Sequence, residues 1–297
     1  MKYFVIFSFF FLISCTGTQS DQYEPELVYA SDQTHANLGI FITDTAYTNV
    51  REVFQDTTTT AYGLQWASEN EVLFVFYQTG NTEIMSLNLE TGETTNLSNH
   101  PAKDGSPQLS PDGKLLAFTS DRDVEGRYGS GDEIYLVEIG TTDTTRITFN
   151  ETYDSGIRFS RDGSQLTFCR QVNREESNGE IFVYDLETKQ ERRVTNKPGF
   201  DCLSDFSPDG EQLTFHGCSE NGCDIFTISV GGESLANITN DEYDNRWPRW
   251  SPDGEWIAYT SVRDGNSDIF IMRPDGSDKR RITTHEGRDE IAEWKPF

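Results

Sequence analysis

One phrase, repeated at a nearly constant interval, restricts this chain more than any other feature. It reads Leu109-Ser-Pro-Asp-Gly113, Phe159-Ser-Arg-Asp-Gly163, Phe206-Ser-Pro-Asp-Gly210 and Trp250-Ser-Pro-Asp-Gly254. A weaker copy opens at Trp66-Ala67-Ser68, with Asn70 in place of the Gly, and a truncated copy stands at Trp294-Lys-Pro-Phe297. The anchors at 66, 109, 159, 206, 250 and 294 lie 43, 50, 47, 44 and 44 residues apart. That period is one propeller blade of four strands, and blades bury their faces only against one another, so the repeats describe a single domain.

Each repeat has the same internal logic. An apolar anchor ends an innermost strand A. Ser-Pro-Asp-Gly then turns the chain: Pro presets φ, Asp caps the turn and Gly takes the positive-φ position. Strand B alternates, with Leu116/Phe118, Leu166/Phe168, Leu213/Phe215 and Ile257/Tyr259 on one face. Strand C opens with an acid and an apolar residue: Glu83-Ile84, Glu133-Ile134, Glu180-Ile181, Asp224-Ile225 and Asp268-Ile269. Strand D closes the unit near Leu97, Ile147, Val194, Ile238 and Ile282. The ends complement each other. Strands B, C and D are expected at Leu27–Ala30, Ile40–Thr43 and Arg51–Phe54 with no strand A before them, while Ile291–Trp294 is a strand A with nothing after it. The expectation is an all-β, six-bladed β-propeller over residues 26–297, closed by the C-terminal strand joining the N-terminal blade.

The phrase, with its downstream Arg263-Asp-Gly-Asn-Ser-Asp-Ile-Phe270, resembles the WD40-like repeat of the TolB propeller. TolB proper carries a further α/β domain before its propeller. Here the resemblance implies a TolB-like chain without that domain, since only a short polar stretch precedes Glu26.

The first residues read as a targeting signal. Lys2 precedes the apolar run Tyr3–Ile13, too short for a mature spanning helix, which needs about 20 residues. Leu12-Ile13-Ser14-Cys15 resembles the lipobox of bacterial lipoprotein precursors. The resemblance implies a signal peptide over 1–14, acylation of Cys15, a tether over 15–25 and attachment to the cell envelope. Thr16 after the cysteine resembles the pattern sorted to the outer membrane.

Charge narrows the partners. The chain holds 24 basic and 50 acidic residues, a net of −26, and removing Lys2 with the signal leaves 23 − 50 = −27. Such a surface repels nucleic acid and anionic lipid; a basic protein or a cation suits it, or the charge serves solubility alone.

Candidate chemistry is sparse. There is no Gly-x-Ser-x-Gly, so the peptidases that also carry this repeat give no precedent for catalysis here. His35, His100, His216 and His285 all fall toward one face but in different blades and without metal-ligand spacing. Asp264-Gly-Asn266-Ser-Asp268 is similar to the opening of a calcium loop whose later ligands are missing, so no cofactor is expected and calcium is the one candidate ion. Four cysteines remain beyond Cys15, which in an exported chain suggests two disulfides with three pairings open. Cys218 and Cys223 flank one short loop, which would leave Cys169 for Cys202; free buried thiols are the alternative.

A more regular feature stands five residues before the anchors: Asp104, Asp154, Asp201 and Asp289, with Asp244 one place further back. Because strand A is innermost, these carboxylates are expected to ring one mouth of the channel, with Arg122, Arg170 and Arg263 on the same face. The structural alternative is that each caps a loop or pairs with an arginine. That face also carries the irregular loops at 121–131, 171–179 and 218–223, so a partner is expected there. Three readings follow: a non-catalytic protein-binding platform, an envelope hydrolase or lyase using a divalent ion at the channel mouth, and a structural subunit of an outer-membrane assembly.

Overall fold

The computed structural model of the chain describes residues 26–44, 46–56, 58, 60–78, 80–123, 132–173 and 178–296. The signal segment, Cys15 and the tether lie outside the described residues, as do 124–131 and 174–177 of the two long loops. Among the described residues every regular element is a strand, and no helix is long and apolar enough to cross a membrane.

The chain opens with β1 (Leu27–Ser31), β2 (Gly39–Thr43) and β3 (Val50–Phe54). Next come β4 (Ala61–Ser68), β5 (Glu71–Gln78), β6 (Asn81–Asn88) and β7 (Thr94–Asn96), followed by β8 (Asp104–Leu109), β9 (Leu115–Ser120), β10 (Glu133–Glu138) and β11 (Thr144–Arg146). The fourth run is β12 (Asp154–Phe159), β13 (Gln165–Asn173), β14 (Asn178–Asp185) and β15 (Gln190–Arg193). The fifth is β16 (Phe200–Phe206), β17 (Gln212–Ser219), β18 (Gly222–Ser229) and β19 (Ala236–Asn237). The last strands are β20 (Asp244–Trp250), β21 (Ile257–Arg263), β22 (Asn266–Met272), β23 (Arg280–Arg281) and β24 (Asp289–Trp294).

Within each run, strands pair antiparallel with their sequence neighbours, and β24 pairs with β1 through Leu27↔Trp294, Val28↔Glu293, Ala30↔Glu290 and Ser31↔Asp289. One departure from separate four-stranded blades appears. The runs β12–β15 and β16–β19 join into one eight-stranded sheet through a single parallel pair, Gly179↔Phe200. Glycine permits it: a Cβ at 179 would stand 2.8 Å from the Phe200 ring.

The core lies between sheets, because each strand sends alternate side chains to opposite faces. Val28, Ala30, Ile40 and Ile42 pack against Ala61, Leu64, Val72 and Phe74 of the next sheet. The other face of that first sheet, with Tyr29, Phe41, Ala292 and Trp294, packs against Trp256, Ala258, Ile269 and Ile271. Outer strands are only two to five residues long, which limits the unpaired edge each sheet offers.

The acid that opens strand C is a fastener. Glu133 Oε2 accepts from Thr148 Oγ1 at 2.6 Å, and Thr148 Oγ1 accepts from the Ile134 N–H at 2.8 Å. The same relay joins Glu83, Ser98 and Ile84, then Glu180, Thr195 and Ile181, then Asp224, Thr239 and Ile225. Each relay ties strand C to the residues after strand D.

Candidate functional site

The A–B turns and C–D turns lie on one side of the sheets, here the turn face; the B–C and D–A loops lie on the other, the loop face. The expected acidic mouth belongs to the loop face, and the structure corrects it. Asp104, Asp154, Asp201 and Asp289 are fully buried at the starts of their inner strands rather than presented to solvent. Arg122 Nη2 donates to both oxygens of Asp104 at 3.0 and 3.1 Å, and Arg170 grips Asp154 at 2.7 and 3.0 Å. The Lys197 ammonium stands 2.5 Å from Asp201, and His285 Nε2 stands 2.9 Å from Asp289. The cause is local. A carboxylate without solvent needs a partner, and the residue four places earlier in the D–A loop supplies one at Asn150, Lys197 and His285.

The fifth full repeat inverts this arrangement. Asn245 occupies the buried position, and its Nδ2 donates to Asp241 Oδ1 at 2.8 Å. Asp244 is therefore not a member of the set: it pairs with Arg246 at 2.8 Å and is about a third exposed. Arg263 holds no ring carboxylate either; it lies over the Tyr243 and Phe270 rings, 4.3 and 4.0 Å from their centroids.

Burial raises both Asp201 and Asp289 to about 6. The native state then binds protons between about pH 4 and 6 that the unfolded chain has released, so this contribution to stability is present at low pH and is lost as pH rises through 6. Turn carboxylates such as Asp112, held down to about 2 by Lys114 and Ser110, oppose the trend only in stronger acid. The melting midpoint should therefore rise between pH 7.5 and pH 5, and Asp201→Asn should flatten part of that rise. A midpoint that falls steadily over the range would show the clasps are ionised throughout.

The remaining candidates are separated. His216 is buried, and burial pushes it down to about 3; its Nδ1 accepts from the Trp247 N–H at 3.5 Å. His100 and His285 use Nδ1 to accept from the N–H two residues on, and His35 is exposed. Asp264 and Gly265 form the β21–β22 turn, both at positive φ, while Asp268 accepts from Arg281 at 2.8 Å. Among the described residues no three His, Cys, Asp or Glu side chains converge as a metal site. Disulfides join Cys169 to Cys202, linking β13 to β16, and Cys218 to Cys223 across the β17–β18 hairpin.

What the inner strands do bring together lies on the axis. The residue before each anchor forms a polar belt: Gln65, Gln108, Arg158, Asp205, Arg249 and Glu293. Glu293 Oε2 accepts from Arg158 at 2.5 Å and from Arg249 at 3.1 Å. Gln65 Oε1 accepts from the Leu109 N–H at 2.7 Å, and Asp205 Oδ2 from the Trp250 N–H at 2.8 Å, so the belt also stitches one inner strand to the next. Burial raises Asp205; burial and the Arg158 charge lower Arg249 to about 10.

The belt divides two cavities. On the turn face a vestibule of about 600 Å³ is walled by the Ser-Pro-Asp-Gly turns and by Trp66, Phe159, Phe206, Trp250 and Trp294, with Asp205 and Glu293 at its floor. On the loop-face side a narrower chamber of about 230 Å³ is lined by a residue three before each anchor: Gly63, Ser106, Gly156, Leu203, Trp247 and Ile291. All six have positive φ, between 46° and 65°, at a register shift in the inner strand. These are bulges that re-aim the strand at the rim.

The belt was detectable as a polar residue before every anchor. The bulges were not, because Leu, Trp and Ile are poor candidates for the left-handed region.

A TolB beta propeller domain profile matches residues 26–178 and 158–297. Tol-Pal system protein TolB of Francisella tularensis subsp. tularensis (strain WY96-3418) is 29% identical over 86 residues, 29% of this chain and 19% of the relative. The chain thus matches about a fifth of that curated relative's length. The crystal structure of TolB from Acinetobacter baumannii superposes with a TM-score of 0.76 at 20% identity, over 93% of this chain and 67% of that one. A putative TolB from Agrobacterium tumefaciens gives 0.71 at 19% identity, over 92% and 99%.

Proposed function

The chain belongs to the TolB β-propeller family, and from that premise we propose that it is a non-catalytic protein-binding platform of the bacterial envelope, lipid-anchored through Cys15. In this reading the propeller has six blades and closes on itself, with β24 as the inner strand of the first. The β24–β1 pairing supports closure, and so does the apolar layer between the last sheet and the first. The two halves of the eight-stranded sheet count as separate blades because a single pair joins them.

The observation that carries the docking surface is the turn-face vestibule. It combines aromatic walls with charged groups at the floor, the composition that concentrates binding energy in protein interfaces. Leu27 pairs with Trp294 at the turn-face end of the first sheet. Of the turn acids Asp112 lines this mouth, with Asp205 and Glu293 deeper in it, and the chain's net negative charge favours a basic or polar segment. A divalent-ion hydrolase or lyase is the alternative, and no observation among the described residues favours it.

Charge reversal should report the face. Asp112 is unsuitable because it caps its own turn. Glu69→Lys, Glu211→Lys and Glu255→Lys together alter exposed turn-face acids; Glu220→Lys, Glu242→Lys and Asp264→Lys do the same on the loop face. In affinity purification from detergent-solubilised membranes, the turn-face variant should lose the partner and the loop-face variant keep it. The reverse result moves the docking surface to the loop face.

A further inference from the structure

The chamber below the belt has a chemistry of its own, independent of the protein-docking reading. Its ring is lopsided. Gly63, Ser106 and Gly156 form a small run and Leu203, Trp247 and Ile291 a large apolar run around about 230 Å³, with Leu203 seated against Gly156. That volume is below the roughly 300–1,000 Å³ of drug-sized sites, so it suits one ring-sized group rather than an extended ligand.

The belt is polarised along the axis. Asp205 and Glu293 line the vestibule and not the chamber, Arg249 lines the chamber and not the vestibule, and Arg158 lines both. An occupant of the chamber therefore meets Arg158 and Arg249 at its inner end, while Glu293, the carboxylate both arginines share, lies on the vestibule side.

We propose that this chamber binds a compact apolar group bearing a carboxylate, with the apolar part between the two runs of the ring and the carboxylate toward Arg158 and Arg249. Such chemistry is found in a free aryl-alkyl acid and in the C-terminal residue of a polypeptide ending in an aromatic side chain. Arginine recognises both alike, since its planar fork matches a carboxylate. The corresponding amide lacks the charge and should bind weakly.

The fold supplies its own blocking variant. Leucine already occupies this register at 203, in the same left-handed conformation that Ser106 adopts, so Ser106→Leu fills the small run with a side chain the bulge tolerates elsewhere. Trp247→Leu removes the indole wall by the same logic.

Titration calorimetry on the full chain tests the assignment with 3-phenylpropionate, 3-phenylpropionamide, and a short peptide ending in Phe as free acid or amide. The free acids should bind at one site, each at least about tenfold tighter than its amide. Ser106→Leu should abolish that binding with the melting midpoint retained. If Ser106→Leu unfolds the protein, Trp247→Leu carries the test and should weaken binding about tenfold. A peptide acid binding more than tenfold tighter than 3-phenylpropionate identifies a chain terminus as the source; equal affinities identify a free acid. No saturable binding of either acid, equal binding of acid and amide, or full binding by folded variants each overturns the assignment.

Discussion

Removing residues 288–297 should leave a chain that no longer melts cooperatively. The segment holds β24, the inner strand of the sheet that contains both ends of the described propeller. Its loss exposes the paired edge of β1 and uncovers the apolar layer to which Ala292 and Trp294 contribute. Trp294 is almost fully buried and donates its indole N–H to the Arg249 carbonyl at 3.0 Å. Truncating one buried Trp typically costs about 3–5 kcal/mol. The deletion adds the lost ladder bonds, the Arg288–Asp32 and Lys295–Glu26 pairs, and the Glu293 carboxylate. Against a total stability of about 5–15 kcal/mol, the sum leaves little. Circular dichroism melts and gel filtration should show a broad or absent transition and association through the open edge. A truncated protein melting within a few degrees of the full chain would refute closure by this strand.

The sequence periodicity carried the strand order, the turn chemistry and the pairing of the two ends, because each depends on short-range pattern: alternation within a strand, Pro and Gly within a turn, a missing strand at one end. The fate of the aspartates depended on something less regular. Their partners four residues earlier are Asn, Lys or His, and at Asp241–Asn245 acceptor and donor exchange places, so no single residue type marks the clasp. Counting only Asp shifted the reading at the fifth full repeat to Asp244, one residue out of register. The chamber was hidden for another reason: its six lining positions range from Gly to Trp, and what they share is a backbone conformation rather than a side chain. The belt was within reach, since Gln65, Gln108, Arg158, Asp205, Arg249 and Glu293 all precede an anchor. What spacing could not give is that two arginines from different sheets converge on one glutamate.

That convergence sets the second large effect. Glu293→Gln keeps the shape of the side chain and removes the charge that Arg158 and Arg249 share. Both guanidiniums are less than a tenth exposed, and Glu293 is 16% exposed. Stripping the counterion from a buried pair generally costs about 3–5 kcal/mol, because the remaining charge keeps its desolvation penalty. Here two like charges are left facing each other, with Asp205 nearby to offset them. Urea denaturation at pH 7 should show a loss in that range for Glu293→Gln. Adding Arg249→Met should recover part of it, since one stranded charge disappears while Arg158 keeps Asp205. The difference between the double variant and the sum of the singles measures the coupling directly. Additive losses, or a Glu293→Gln protein within about 1 kcal/mol of the parent, would mean that water in the vestibule already screens the belt. The belt would then be a hydrated lining rather than an ion-paired brace across the axis.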